Sequence, residues 1–144
     1  MNTTKKPNTA FWIIAVFALL WNLIGVYLWL YEYFLITDEV RATLPQQQVE
    51  IMASAPIWSM YVYGLAVITG LLASVFLLMR KKLAVAVFLL SLIAVLILQL
   101  YWIFAMGTIE KLGPQSLFMP LIVIALAIFE YFYSMGAARN GWLT

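Results

Sequence analysis

In the stretch "LMRKKLAVAVFLLSL", residues 78–92, three adjacent positive charges lie between two long apolar runs. Four such runs are present, at residues 11–35, 57–79, 83–106 and 117–134. Each is close to or longer than the ~20 residues that a helix needs to cross the hydrocarbon core of a bilayer. The sequence therefore predicts an all-α integral membrane protein, an antiparallel four-helix bundle in which residues 1–144 form a single membrane domain.

The composition indicates that lipid is the main solvent of the chain. Of its 144 residues, 66% are hydrophobic and 10% are charged, and the mean hydropathy is +1.01. A soluble domain carries about 25% charged residues, because its surface has to be hydrated. The net charge is only +2 and no basic stretch is interleaved with aromatic residues. We therefore expect the lipid bilayer as a partner and no nucleic acid.

Two residue types that most enzymes use are missing from the sequence, which has no cysteine and no histidine. Their absence removes thiol nucleophiles, thiolate metal sites, the usual general base and the commonest metal ligand. Of the six carboxylates, four lie in polar connections: Asp38, Glu39, Glu50 and Glu110. We therefore expect no catalytic residues, no metal site and no cofactor, and a protein that is not an enzyme.

Basic residues predict the orientation of the spans. Lys5 and Lys6 precede the first span, residues 80–82 join the second to the third, and Arg139 follows the fourth. The other two connections carry charges of both signs. Because cytoplasmic loops retain Lys and Arg, we expect both termini and the 80–82 turn on the cytoplasmic side.

The long connection at residues 36–56 predicts a helical lid on the outer surface. Thr37 is a candidate helix N-cap, and Asp38 and Glu39 follow it in the first turn, where acidic groups suit the helix dipole. Pro45 is a candidate start for a second short helix.

Small and polar residues recur along one face of three spans. Such residues guide helix packing in lipid, because they let backbones approach or need polar partners. In the first span their steps of three and four place them on one helical face. These stripes contain Ala15, Ala18, Asn22, Gly25, Trp29 and Glu32 in the first span, Ala66, Gly70 and Ser74 in the second, and Ala127, Glu130, Ser134 and Ala137 in the fourth. Ordinary packing accounts for the small residues without a ligand.

Glu130 is the most unusual residue of the stripes, because it is a carboxylate inside an apolar run. A charge at that depth costs about 3 kcal/mol on insertion scales, so we expect it to be neutral, paired or in water. Asn22 is expected to face it across the bundle. Glu130 is therefore a candidate proton carrier, and the alternative is a structural anchor that pairs with Arg139 or reaches cytoplasmic water. Glu32 is a weaker candidate, because it lies near the end of its span and fits the headgroup layer.

Tyrosine and tryptophan residues are concentrated toward the predicted outer side. An interfacial belt explains most of them. The alternative is a pocket beneath the lid in which Trp29, Trp58 and Trp102 stand with Glu32 and Gln99. Aromatic faces with a few hydrogen-bonding groups suit a sugar-like or amphipathic solute.

Several local strings resemble a family of small four-span bacterial membrane proteins that are often labelled sugar transporters. They are "TDEVRATLPQQQ" (37–48) followed by "APIW" (55–58), "LMRKKLAVAVFLLSL" (78–92) with Gln99 downstream, and the terminal "GWL" (141–143). The resemblance runs through most of the chain and implies a four-span architecture, the bacterial inner (cytoplasmic) membrane and the handling of a solute. Glu130 lies outside the resembling strings.

Three functions are compatible with these features. The first is a transporter or binder of a small sugar-like or amphipathic solute, proton-coupled through Glu130. Because four short helices rarely enclose a pocket and two gates, it implies a homo-oligomer. The second is a non-catalytic accessory or assembly subunit of a larger membrane complex, which needs only packing stripes, belts and a lid. The third, an intramembrane enzyme, is disfavoured by the missing histidine and cysteine.

Overall fold

The computed structural model describes residues 5–144, and within them the chain is all-helical, with no strand. Seven α-helices follow one another: α1 (Thr9–Leu30), α2 (Asp38–Ala42), α3 (Gln46–Ser54), α4 (Ile57–Leu78), α5 (Leu83–Leu100), α6 (Thr108–Leu112) and α7 (Phe118–Arg139). Two π-helical turns (Tyr31–Leu35 and Tyr101–Ala105) extend α1 and α5, and a 3₁₀ turn (Pro114–Leu117) precedes α7.

Four helical segments in the described part of the chain are long and apolar enough to cross a membrane. They cover Thr9–Leu35, Ile57–Leu78, Leu83–Ala105 and Pro114–Arg139. These bounds agree with the four predicted runs, although the fourth segment continues five residues beyond residue 134. The all-helical class and the four long apolar helices are thus confirmed.

Helices α1 and α2 begin at side-chain caps, and α3 begins after a proline. The Asn8 side chain accepts a hydrogen bond from the Phe11 N–H at 2.9 Å at the start of α1. Thr37 caps α2 as predicted, since its hydroxyl accepts from the Val40 N–H at 3.2 Å. Pro45 immediately precedes α3, as predicted. The 36–56 connection therefore holds two short helices.

Small residues allow α4 to pack closely against its neighbours α1 and α5, and α5 also packs against α7. A Cβ atom at Gly64 would lie 2.6 Å from Cζ2 of Trp29, and one at Gly70 would overlap Oδ1 of Asn22. Because both glycines lack a side chain, Trp29 and Asn22 of α1 can pack directly against the backbone of α4. Between α4 and α5, the Ser91 hydroxyl donates to the Ala66 carbonyl at 2.8 Å.

The main apolar core lies where α1 and α5 begin and where α4 and α7 end. Its members are buried almost completely: Phe11, Ala15, Ala73, Leu77, Ala84, Phe88, Ala137 and Leu143. The Trp142 ring packs edge-to-face on Phe11 with the ring centroids 5.7 Å apart. We call residues 5–15, 73–88 and 137–144 the anchored end.

Both helices that end there, α4 and α7, end in a Schellman motif. In α4 the Lys81 N–H donates to the Phe76 carbonyl at 2.9 Å, and in α7 the Trp142 N–H donates to the Ala137 carbonyl at 3.0 Å. The motif needs one residue in the left-handed region, which is usually glycine. Gly141 takes it in α7 (φ 79°), but Arg80 takes it in α4 (φ 59°).

The Arg80 side chain explains why an arginine stands at this position. Its Nε donates to the Trp142 carbonyl at 2.9 Å and its guanidinium also donates to the Lys5 carbonyl at 2.7 Å. The Arg80 carbonyl in turn accepts from the Thr144 N–H at 2.7 Å, and the Lys5 N–H donates to the Gly141 carbonyl at 2.7 Å. One residue thereby joins the 80–82 turn to both terminal segments.

Candidate functional site

A cavity of about 630 Å³ lies away from the anchored end. It is bounded by the end of α1, by α2 and α3, by the first turns of α4, by the end of α5 and by the segment that leads into α7. We call residues 28–63 and 98–120 the cavity end. Helices α2 and α3 and the turn between them cover the cavity through four side chains spaced by four residues, namely Val40, Leu44, Gln48 and Met52.

The two π-helical turns shape the wall of the cavity. In each, an N–H reaches back five residues: Ile36 donates to Tyr31 at 2.8 Å, and Met106 donates to Tyr101 at 3.3 Å. The wider turn shifts the helical register, so that residues adjacent in sequence face the same space. Tyr31, Glu32 and Tyr33 line the cavity from the first turn, and Tyr101 and Trp102 line it from the second. Turns of this kind occur frequently at functional sites.

The lining combines a few polar groups with a largely apolar wall. The polar side chains are Glu32, Gln48, Ser59, Gln99 and Ser116, together with the hydroxyl-bearing rings of Tyr31, Tyr33, Tyr63 and Tyr101. Leucine and methionine side chains, among them Leu98, Met106 and Met119, complete the wall. Such a cavity can hold an apolar body and orient it through a small number of polar contacts.

Three of the five predicted pocket residues line this cavity, namely Glu32, Gln99 and Trp102, and the other two, Trp29 and Trp58, are not among the described lining residues. Trp29 turns toward α4, where its Nε1 donates to the Met60 carbonyl at 3.0 Å. Trp58 packs edge-to-face on Tyr101, at 4.8 Å between ring centroids.

Several residues that line the cavity were not predicted, although the spacing of some of them in the sequence indicates a shared face. Val40, Leu44, Gln48 and Met52 are spaced by four residues, as on one helical face, although Pro45 lies between α2 and α3. The π-helical turns have no comparable signature, so the joint exposure of Glu32 and Tyr33 to the cavity could not be read from spacing.

A second polar cluster joins Asn22 of α1 to Glu130 of α7. The Asn22 amide nitrogen lies 3.2 Å from Glu130 Oε1, 3.1 Å from Ser74 Oγ and 2.8 Å from the Ala18 carbonyl. Asn22 is 8% exposed and Glu130 is 7% exposed. Ser74 donates onward to the Gly70 carbonyl at 2.8 Å. One amide therefore connects three of the four long helices, and Asn22 faces Glu130 as its position in the sequence suggested.

Glu130 has a partner across the helices rather than along its own helix. Arg139 lies nine residues later in α7, which is ~13 Å along the axis, and the hydrogen bond of Glu130 goes to Asn22. The cluster is also separate from the cavity. Asn22 precedes Glu32 by ten residues of helix, or ~15 Å. The four predicted proton or solute residues thus fall into two groups, Asn22 with Glu130 and Glu32 with Gln99.

Comparison of the chain with protein-family models, with curated proteins and with solved structures found no match. The function therefore has to be argued from the cavity and the polar cluster.

Proposed function

We propose that this chain is a four-span integral membrane protein that binds, and in an oligomer transports, a small amphipathic or sugar-like solute in the cavity beneath α2 and α3. The observation that carries this proposal is the cavity itself. Its volume of about 630 Å³ falls within the ~300–1,000 Å³ of typical small-molecule sites, which are mostly apolar walls with a few placed polar groups.

The outer faces of the long helices support a place in the bilayer. Large apolar side chains are exposed along each of them, including Ile13, Leu20 and Ile24 in α1, Leu65 and Leu72 in α4, Ile93 and Ile97 in α5, and Leu121, Phe129 and Phe132 in α7. Soluble monomers rarely expose contiguous apolar patches larger than a few hundred Å². Lipid removes the cost of this exposure, because it solvates apolar side chains.

Helix contacts and charges support an antiparallel bundle with a defined orientation. Residue 22 of α1 meets residue 70 of α4, and residue 29 meets residue 64, so the two helices run in opposite directions. The anchored end holds the described N-terminal residues, the 80–82 turn and the C-terminal segment. By the tendency of cytoplasmic loops to retain Lys and Arg, this end faces the cytoplasm and the cavity faces the opposite side. The family resemblance supports the bacterial inner membrane and a transport role.

The Asn22–Glu130 cluster serves first as a contact between helices. Interhelical hydrogen bonds in membranes contribute about 0.6 kcal/mol on average, and this one links α1 to α7, which pack mainly against other helices. Proton coupling through Glu130 remains a separate prediction, because the carboxylate lies outside the cavity. Helix α7 exposes Phe118, Leu121 and Phe132, a face that suits lipid or a second copy of the chain.

Tryptophan fluorescence tests the solute site. Trp102 lines the cavity, whereas Trp12 lies at the anchored end beside Phe11. A bound solute should change the emission saturably, and Trp102→Phe should remove most of that change while Trp12→Phe should leave it intact. A panel of sugars and amphipathic solutes that changes neither the emission nor the unfolding temperature would contradict the proposal. Purification from the native membrane in a fixed complex with an unrelated subunit would instead favour the accessory-subunit function.

A further inference from the structure

The charge inside the cavity specifies a class of solute. Among the described residues that line it, Glu32 is the one formally charged side chain, and lysine and arginine are absent from the lining. Arg41 of α2 and Lys111 of α6 each adjoin a lining residue in sequence but do not line the cavity themselves. The formal charge of the described lining is therefore negative.

Glu32 is held at the cavity without a compensating group. It is half-buried in the first π-helical turn, and within residues 5–144 no side chain or backbone N–H hydrogen-bonds to its carboxylate. A cation close to this carboxylate is attracted to it more strongly than in bulk water, because the effective dielectric constant near a protein is lower. The same carboxylate opposes the entry of an anion, since like charges repel more strongly in a medium of low dielectric constant.

Aromatic rings line the same cavity as this carboxylate. Tyr31 and Tyr33 flank it in sequence, Tyr63 lines the cavity from α4, and Tyr101 and Trp102 line it from the second π-helical turn. The Tyr33 and Tyr63 rings meet edge-to-face, with centroids 6.3 Å apart and planes at 89°. Ring faces attract ammonium groups, and a cage of such rings is the usual protein site for a methylated ammonium ion.

We propose that the cavity selects an organic cation with an apolar body, an amphipathic ammonium compound whose head is held by Glu32 and the surrounding rings. This inference deepens the proposed function and rests on it, because it names the solute class of the same cavity. The apolar body lies against Leu98, Met106 and Met119, and Gln48 and Gln99 are within the same wall to orient it. A neutral sugar would use the rings and amides but not the carboxylate.

A matched pair of probes separates charge from shape. Phenethylammonium and phenethyl alcohol have the same apolar body, and only the first is charged at neutral pH. Calorimetric titration of the full chain in lipid nanodiscs should show that the cation binds at least about tenfold more tightly, because the attraction of the Glu32 carboxylate adds to that of the aromatic rings. This wild-type comparison needs no variant to fold.

Two variants assign the preference to the carboxylate. Glu32→Gln keeps the shape of the side chain and should bring the affinities of the two probes to within about threefold of each other. Glu39→Gln removes a charge from α2 outside the cavity and should leave the tenfold preference unchanged. An equal loss in both variants would assign the effect to general surface charge and overturn the proposal.

The outcomes also distinguish this inference from the function on which it rests. Equal binding of the two probes by the wild type would overturn the cation preference while retaining the cavity as a solute site. If neither probe binds but a sugar from the fluorescence panel does, the solute class is wrong and the proposed function stands. If no solute of either kind binds, both proposals fail.

Discussion

The anchored end and the cavity end of this molecule are built in opposite ways from the same helices. At the anchored end, two Schellman motifs, a buried core around Phe11 and Phe88, and the Arg80 guanidinium hold the chain segments together. At the cavity end, α1 and α5 widen into π-helical turns and the short helices α2 and α3 cover about 630 Å³ of space.

The difference predicts which residues determine stability and which determine the proposed binding of a solute. Buried apolar contacts and paired backbone groups at the anchored end contribute to the free energy of unfolding of the whole chain, and their loss would lower it. Binding sites belong to less tightly packed segments, because a solute needs room and a path of entry. Substitutions at the anchored end and in the polar cluster should therefore lower stability, whereas those in the cavity should lower affinity.

The largest loss of stability is expected for Gly70→Ala. The added methyl group would overlap the Asn22 side chain, displacing the amide that connects α1, α4 and α7. Overpacking costs about 1–3 kcal/mol, and the lost hydrogen bonds add to it. Thermal unfolding in detergent should show a strong decrease in the midpoint temperature.

Gly136→Ala is the matched control, because a Cβ atom there has no contact within 4 Å and alanine favours a helix by about 0.5–1 kcal/mol over glycine. Its midpoint should stay unchanged or rise. Equal effects of the two substitutions would mean that the contact between Gly70 and Asn22 does not determine the packing.

A smaller loss is expected for Arg80→Ala at the anchored end. The change removes the hydrogen bonds to the Trp142 and Lys5 carbonyls. A hydrogen bond from a charged donor contributes about 1.5–3 kcal/mol, and these two contribute less because they are partly or fully exposed to solvent. Hydrogen exchange should accelerate in residues 5–8 and 140–144. Lys81→Ala removes a positive charge from the same turn at an exposed position, and exchange in these segments should not respond to it.

The smallest effect is expected for Glu130→Gln, whose side-chain oxygen can still accept from Asn22. The free energy of unfolding should change by no more than the ~0.6 kcal/mol that one interhelical hydrogen bond contributes on average, and solute affinity should be unchanged. Flux of a bound solute into liposomes along a pH gradient then tests proton coupling. Loss of that pH dependence in a folded variant would make Glu130 a proton carrier, and unaltered flux would leave it a structural contact.

The four long helices, the caps at Thr37 and Pro45, and the meeting of Asn22 with Glu130 could be predicted, because hydropathy, cap chemistry and helical spacing are local signals. The cavity could be predicted only in part. Glu32, Gln99 and Trp102 line it, but Trp29 is drawn to the α4 backbone by its indole N–H and by the space at Gly64. That choice depends on a neighbouring helix, and the π-helical turns depend on packing, so neither can be read from one segment.

Hydrogen exchange with and without phenethylammonium, on the full chain in nanodiscs, tests the division between the two ends most directly. We predict that the ligand, at a concentration that half-saturates the wild type, slows exchange in residues 31–54 and 101–117 and leaves residues 5–8 and 137–144 unchanged, and that Glu32→Gln weakens this protection. Protection centred on the anchored end or on the segments around Asn22 and Glu130, or equal protection in Glu32→Gln, would contradict this division.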